Sequence, residues 1–321
     1  MNLADIRSGD RRALSRFLTL VENNRDGVAE ELTGLYQSAD VHQIIGVTGP
    51  PGSGKSTLIA ALTKRYRVRG RTVAVVAVDP SSPFTGGALL GDRIRMNALA
   101  GDKGVFIRSM ASRGSLGGLA WRTQDVVRVL AAAGFDYVIV ETVGAGQTAV
   151  DIAALAPTTI VVQAPGAGDD VQANKAGLLE IADILVVNKS DLPGAERAKN
   201  ALKAMLELGH PTKSKAQDKP IWVPPIVLTS ALEEKGIDDL AERIASQFNY
   251  LQKHGLLVEF QERQLRAEFM YRLRETLQVR LFDTFAEDEF AGIITRMVQE
   301  RIDPQRAVDQ LLQKLEFRRR N

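Results

Sequence analysis

A chain of 321 residues, 45% hydrophobic and 25% charged, can bury a sizeable core as one large domain with additions or as two domains. The absence of cysteine excludes thiol catalysis, disulfides and thiolate metal sites, and three scattered histidines argue against a histidine metal centre. A net charge of +2 gives no reason to expect a nucleic-acid partner. With no apolar signal core at the N-terminus and no run near the ~18 apolar residues of a membrane span, the expectation is a cytoplasmic protein with no membrane contact.

Residues 1–40 are helical in pattern: Leu14, Phe17, Leu18 and Val21 recur at helix spacing, and Leu32, Leu35 and Tyr36 repeat the stripe after the polar break at Asn23-Asn24. From 41 to 246 short β-branched runs alternate with longer amphipathic ones. Strands are expected at 43–48, 72–78, 137–141, 159–163, 184–188 and 226–229. The fold class is therefore α/β, a mostly parallel sheet with helices on both faces, preceded by N-terminal helices and followed by a helical extension over 247–321. Right-handed crossovers place all strand C-termini on one edge, where ligands of such sheets bind.

The first strand breaks into Gly49-Pro50-Pro51-Gly52-Ser53-Gly54-Lys55-Ser56-Thr57, which fits G-x-x-x-x-G-K-[ST] between a strand and a helix. Its glycines let successive N–H groups point inward at phosphate oxygens, and the helix that opens near Lys55 adds its positive end. Lys55 is placed to reach the outer phosphates, and the Ser56 hydroxyl to join a Mg²⁺ shell. After strand 72–78, the loop from Asp79 to Arg93 is rich in proline and glycine. Asp79 and Asp92 are candidate metal-shell carboxylates there, or else a turn-former and a helix cap. Glu141, at the tip of strand 137–141, stands where a Walker-B acid belongs, and Gly144 is a candidate γ-phosphate sensor through its N–H.

Strand 184–188 leads into Asn188-Lys189-Ser190-Asp191. The Asp191 carboxylate can accept from guanine N1–H and the exocyclic amine, a pair of donors that adenine lacks, so the nucleotide is expected to be GTP or GDP. Lys189 can lay its stem along the purine, Asn188 can tie neighbouring loops, and Ser230-Ala231-Leu232 can offer backbone N–H groups near guanine O6.

GPPGSGKST, VDPSSPFTGGALLGDRIRM, VETVGAGQ, VVNKSDL and LTSALEEKGI together resemble the MeaB/MMAA (ArgK-like) family of SIMIBI-class G proteins, over essentially the whole chain. The resemblance implies a GTPase, and because no glutamine directly follows Gly144 and no arginine finger can be assigned, hydrolysis is expected to be slow alone and stimulated by a partner. That partner is an adenosylcobalamin-dependent acyl-CoA mutase of the methylmalonyl-CoA mutase type, whose cofactor loading it gates and which it protects or reactivates. It also implies that Lys55 and Ser56 serve phosphate and Mg²⁺, and that Asp79, Asp92 and Glu141 surround the metal. A segment 166–175 containing Lys175 would be ordered by the partner. A kinase or ATPase of amino-acid transport, the role in the ArgK label, is the rival, and the guanine-selecting Asn188-Lys189-Ser190-Asp191 argues against it. A metal-insertion GTPase is a third reading, whose usual His- or Cys-rich stretch is missing here.

Beyond 247 the pattern reverts to helix. Leu265, Phe269, Leu273, Leu277 and Leu281 recur at i+4, Phe290, Ile293, Ile294, Met297 and Val298 follow, and Asp303-Pro304 opens a last helix carrying Val308, Leu311, Leu312 and Leu315. By composition this arm either packs on its own domain or joins two chains. The resemblance implies a homodimer through it.

Overall fold

The β-branched runs β1 (Gln43–Thr48), β2 (Val73–Asp79), β3 (Val105–Ala111), β4 (Tyr137–Thr142), β5 (Thr158–Gln163), β6 (Ile184–Val187) and β7 (Ile226–Leu228) pair in parallel as one sheet in the order β3-β2-β4-β1-β5-β6-β7. The computed structural model describes residues 6, 10–23, 28–36, 43–79, 99, 101–111, 118–142, 147–166, 179–209, 221–285 and 287–320. It divides into two compact units, 1–261 and 262–321. The central strands are buried along nearly their full length, which is why they read as near-continuous Val/Ile runs.

Alternation along each strand sorts the core into two faces. Ile45, Val47, Val75, Ile139, Ile160 and Val162 meet helices α3 (Lys55–Val68) and α7 (Ile237–Lys253). On the opposite face Val76, Val138 and Val140 meet α1 (Arg11–Glu22), α2 (Val28–Tyr36), α4 (Gly118–Ala132) and α5 (Gln147–Leu155), while Val161, Leu185 and Val187 meet α6 (Ala195–Gly209). α5 lies so close to β1 that a Cβ on Gly46 would stand 2.6 Å from Ile152 Cγ1.

β3 is the strand that periodicity did not predict. Its run, Val105-Phe106-Ile107-Arg108-Ser109-Met110, is interrupted by a charge, and that charge is paired from outside the sheet: Arg108 Nη2 donates to Glu22 at the end of α1. α1 is itself built for this place. Asp10 caps it, accepting from the N–H groups of Arg12 at 2.8 Å and Ala13 at 3.1 Å. Its stripe of Leu14, Phe17, Leu18 and Val21 is buried, each side chain contributing roughly 1.5–3 kcal/mol of transfer free energy. Arg11 donates to the carbonyls of Asp102 and Val105 at the start of the edge strand.

In the second unit, Phe290 of α9 (Glu287–Gln299) packs 4.8 Å from Phe282 and 5.9 Å from Phe285 between ring centroids. Ala307 and Leu311 of α10 (Pro304–Arg320) are buried. α8 (Leu256–Thr284) carries the predicted stripe, but Leu265, Phe269, Leu273 and Leu277 are exposed on it. Among the described residues no helix is long and apolar enough to cross a membrane.

At the edge remote from the strand tips, Asp183 accepts from Thr159 N–H at 2.7 Å, and its own carbonyl accepts from Trp222 Nε1 at 2.8 Å. Burial pushes the Asp183 carboxyl up to about 6, against the Thr159 and Gln247 hydrogen bonds that favour its charged form. The folded protein therefore binds a proton here that the unfolded chain has released. The contribution of this group to stability is greatest below about pH 4 and falls by about 2–3 kcal/mol as pH rises through 6. Asp183→Asn keeps an acceptor for Thr159 and removes the titration. Thermal melts from pH 4 to 7 should show a shallower decline for the variant than for the native chain.

Candidate nucleotide-binding site

β1 ends at Thr48, and the chain leaves it over Gly49 at φ 145°, where a Cβ would lie 2.1 Å from the Val162 carbonyl oxygen of β5. Only glycine lets the loop pass between the two strand tips. Pro50, Pro51 and Gly52 carry it outward, Ser53 is buried beneath, and Gly54 turns at φ 88° into α3, whose first residues are Lys55, Ser56 and Thr57. A Cβ on Gly54 would stand 2.4 Å from Asn188 Nδ2. The N–H groups of the first turn of α3 have no carbonyl within the helix to bond, so this end is suited to an anion. Lys55 Nζ curls back over the loop, donating to the carbonyls of Gly49 at 2.9 Å and Pro50 at 3.2 Å.

β4 lies beside β1 with Glu141 opposite Val47. This register brings Ser56 and Glu141 together: Ser56 Oγ donates to Glu141 Oε1 at 2.8 Å, and both residues are only 4% exposed. Asp79 closes β2, the next strand outward, with its backbone at the same edge; its side chain lies outside the described residues. Asp92, Gly144 and Lys175 also lie outside them.

The other half of the site is organised by Asn188, 1% exposed, just past β6. Its Nδ2 donates to Ser53 O at 3.0 Å and Gly54 O at 3.4 Å. Its Oδ1 accepts from Thr229 Oγ1 and Ala231 N–H, both at 3.1 Å. One carboxamide thus joins the phosphate loop to the turn after β7. Lys189 adopts φ 58°, a left-handed conformation that re-aims the chain toward Asp191. Asp191 is exposed, and its Oδ1 accepts from Ser230 Oγ at 2.6 Å. That hydroxyl, then its own backbone N–H, then Lys235 and Lys189 hold the carboxyl below its ordinary range. A reciprocal backbone pair between Ser230 and Lys235 closes the turn that carries Ala231 and the exposed Leu232.

Two of these roles were not anticipated. Beside the backbone N–H expected of it, Ser230 braces Asp191 with its side chain, and Thr229, buried and bonded to Asn188, is a residue the motif spacing does not reach. Two hydroxyl residues directly after a buried strand were the available signal. The Ala231 N–H is engaged by Asn188, leaving Leu232 as the next N–H along this turn.

The sequence profile of the family described as methylmalonyl-CoA mutase-associated GTPase MeaB matches residues 14–286. A Pyrococcus abyssi protein provisionally named a GTPase is 45% identical over 310 residues, covering 97% of this chain and 94% of its own. The Escherichia coli protein named GTPase ArgK is 36% identical, covering 89% of this chain and 86% of its own. The solved structure of a protein named LAO/AO transport system kinase superposes with a TM-score of 0.71 at 27% identity, covering 98% of this chain and 96% of that one.

Gly54→Ala should weaken nucleotide binding at least about tenfold by titration, although it removes no group that touches the ligand. The left-handed φ costs an L-residue about 1–2 kcal/mol, and the new methyl displaces Asn188.

Proposed function

Because the chain belongs to the methylmalonyl-CoA mutase-associated GTPase family MeaB, we propose that it is a GTP-driven chaperone for an adenosylcobalamin-dependent acyl-CoA mutase, gating cofactor loading and protecting or reactivating that enzyme. GTPase activity follows from the family; the partner and the chaperone role are our reading. A murine relative named methylmalonic aciduria type A homolog, 28% identical over 97% of this chain, points in the same direction. The observation that carries the nucleotide assignment is Asp191, kept as a carboxylate by Ser230 and joined through Asn188 to the phosphate loop.

In this reading Lys55 exchanges the Gly49 and Pro50 carbonyls for phosphate oxygens, while backbone N–H groups of Gly52 to Thr57 surround the rest of the triphosphate. Water attacks the γ-phosphorus, the bond to the β–γ bridging oxygen breaks, and GDP and phosphate leave. Ser56 and Glu141 suit Mg²⁺ as hard oxygen donors. Ser56 donates its hydroxyl proton to Glu141, so the two oxygens stand 2.8 Å apart as the pair that would hold the ion. When bound there, the ion offsets charge on the β- and γ-phosphates. Asp79 and Asp92 would complete the shell with Glu141, some of the three carboxylates through water, and Gly144 N–H would report the γ-phosphate.

The chain forms a homodimer through the exposed apolar stripe Leu265, Phe269, Leu273 and Leu277 of α8. The mutase orders segment 166–175 so that Lys175 reaches the nucleotide side, and hydrolysis is slow until it does. A kinase, as the protein of the superposed structure is named, would instead transfer phosphate to a second substrate. Only water serves as acceptor in our reading.

Asp191→Asn should weaken GTP by about 10–100-fold in a competition titration and favour xanthosine triphosphate, whose oxygen meets the new amide. Equal binding of ATP and GTP by the native protein would overturn the assignment. Adding the mutase should raise the rate of phosphate release by orders of magnitude, and Lys175→Ala should lose most of that gain while retaining the slow basal rate.

A further inference from the structure

Thr48, Thr142 and Gln163 end three adjacent strands, β1, β4 and β5, and all three point to the face away from α3. The parity of the strands requires this: Gly46 meets α5, Val138 and Val140 meet the α1/α4/α5 cluster, and Val161 meets the α6 cluster. The three side chains are 0%, 6% and 8% exposed, yet Thr48 Oγ1, Thr142 Oγ1 and Gln163 Nε2 have no hydrogen-bond partner among the described residues. Val47 pairs with Glu141, so Thr48 and Thr142 are the next register neighbours, with Cβ atoms about 5 Å apart. Val161 pairs with Thr48, which puts Gln163 two residues further along on the same side, within reach of a long side chain. Helix α4 packs on this face. Its Thr123 shares the stripe of Val127 and Leu130, is 3% exposed, and is likewise without a partner among the described residues.

Buried polar groups in folded proteins are satisfied, and where no protein partner serves, ordered water does. A water needs two to four polar partners in one place, and two unpaired hydroxyls carried on Cβ atoms about 5 Å apart can share one bridging water. We propose that Thr48, Thr142 and Gln163 hold an internal water site that joins the tips of the three central strands. It lies on the opposite face of the sheet from Ser56 and Glu141. Thr48 immediately precedes the phosphate loop and Thr142 immediately follows Glu141, so the water ties together the strand ends that carry the phosphate loop and Glu141.

Thr→Val keeps the shape and removes only the hydroxyl, so the sign of its effect separates a bridged group from an unpaired one. In the full chain, Thr48→Val and Thr142→Val should each lower the melting temperature by about 2–4 °C. The double variant should lose less than the sum, because both hydroxyls serve the same water. Oxygen-17 magnetic relaxation dispersion on the native chain and each variant should count at least one fewer long-lived water in the variants, with the count retained in Thr48→Ser. A melting temperature that rises or stays put would overturn the site, because removing an unpaired buried hydroxyl relieves a cost. Strictly additive losses, or an unchanged count of long-lived waters, would overturn it as well.

Discussion

Order at the strand tips depends on how the Asn188 carboxamide divides its hydrogen bonds. The amide nitrogen serves two carbonyls of the phosphate loop, and the amide oxygen serves a hydroxyl and an N–H of the turn after β7. No other side-chain type of that size offers two donors and an acceptor in one plane, and at 1% exposure there is no bulk solvent to replace a lost partner. Aspartate would face the Ser53 and Gly54 carbonyls with oxygen, leaving acceptors opposed and a buried charge unpaired. The geometry of both neighbouring loops is therefore conditional on this residue. The two glycines that flank the loop, wedged against the Val162 carbonyl and the Asn188 amide, are the steric counterpart of the same constraint.

The loops after β6 and β7 inherit their geometry from this arrangement. Ser190 N–H donates to the Thr229 carbonyl at 2.9 Å and Thr229 N–H to the Val187 carbonyl at 3.0 Å, so the two loops extend the β6–β7 ladder beyond the strands themselves. Exposed ion pairs connect α3 and its C-cap Arg69 to the turn after β7 and to the start of α7: Lys64 to Glu234, and Arg65 and Arg69 to Asp238. Each such pair adds little by itself in water. Their positions nevertheless keep the turn after β7 close to α3.

Local pattern made much of this legible and missed what depends on distant partners. Continuous Val/Ile runs announced the buried central strands, because burial on both faces leaves no polar alternation to interpret. β3 escaped because Arg108 breaks its run, and the Glu22 that neutralises it lies 86 positions away. The helical spacing of residues 11–22 was plain, but nothing local indicates that this helix covers an edge strand. At the site, motif spacing singled out Ser56, Glu141, Asn188 and Asp191, which the fold brings to one sheet edge. The Ser230 brace on Asp191 and the Thr229 bond to Asn188 were not legible, since a hydroxyl's partner is set by how two loops meet. For the α8 stripe, periodicity identified the face and not its exposure.

The strand order also governs when the protein becomes foldable during its own synthesis. β1 is flanked by β4 and β5, with Gln43 opposite Tyr137 and Ile45 opposite Thr158, so the strand that launches the phosphate loop waits for partners encoded far downstream. With roughly 90 residues still to be added at about 5–20 residues per second, it stands on the order of 5–20 s with both edges open. The apolar stripe of α1, which ends at Glu22, waits longer still for Val138 and Val140. Until those partners emerge, the apolar strand β1 has two open edges, the kind of segment that pairs with other chains unless it is shielded during synthesis.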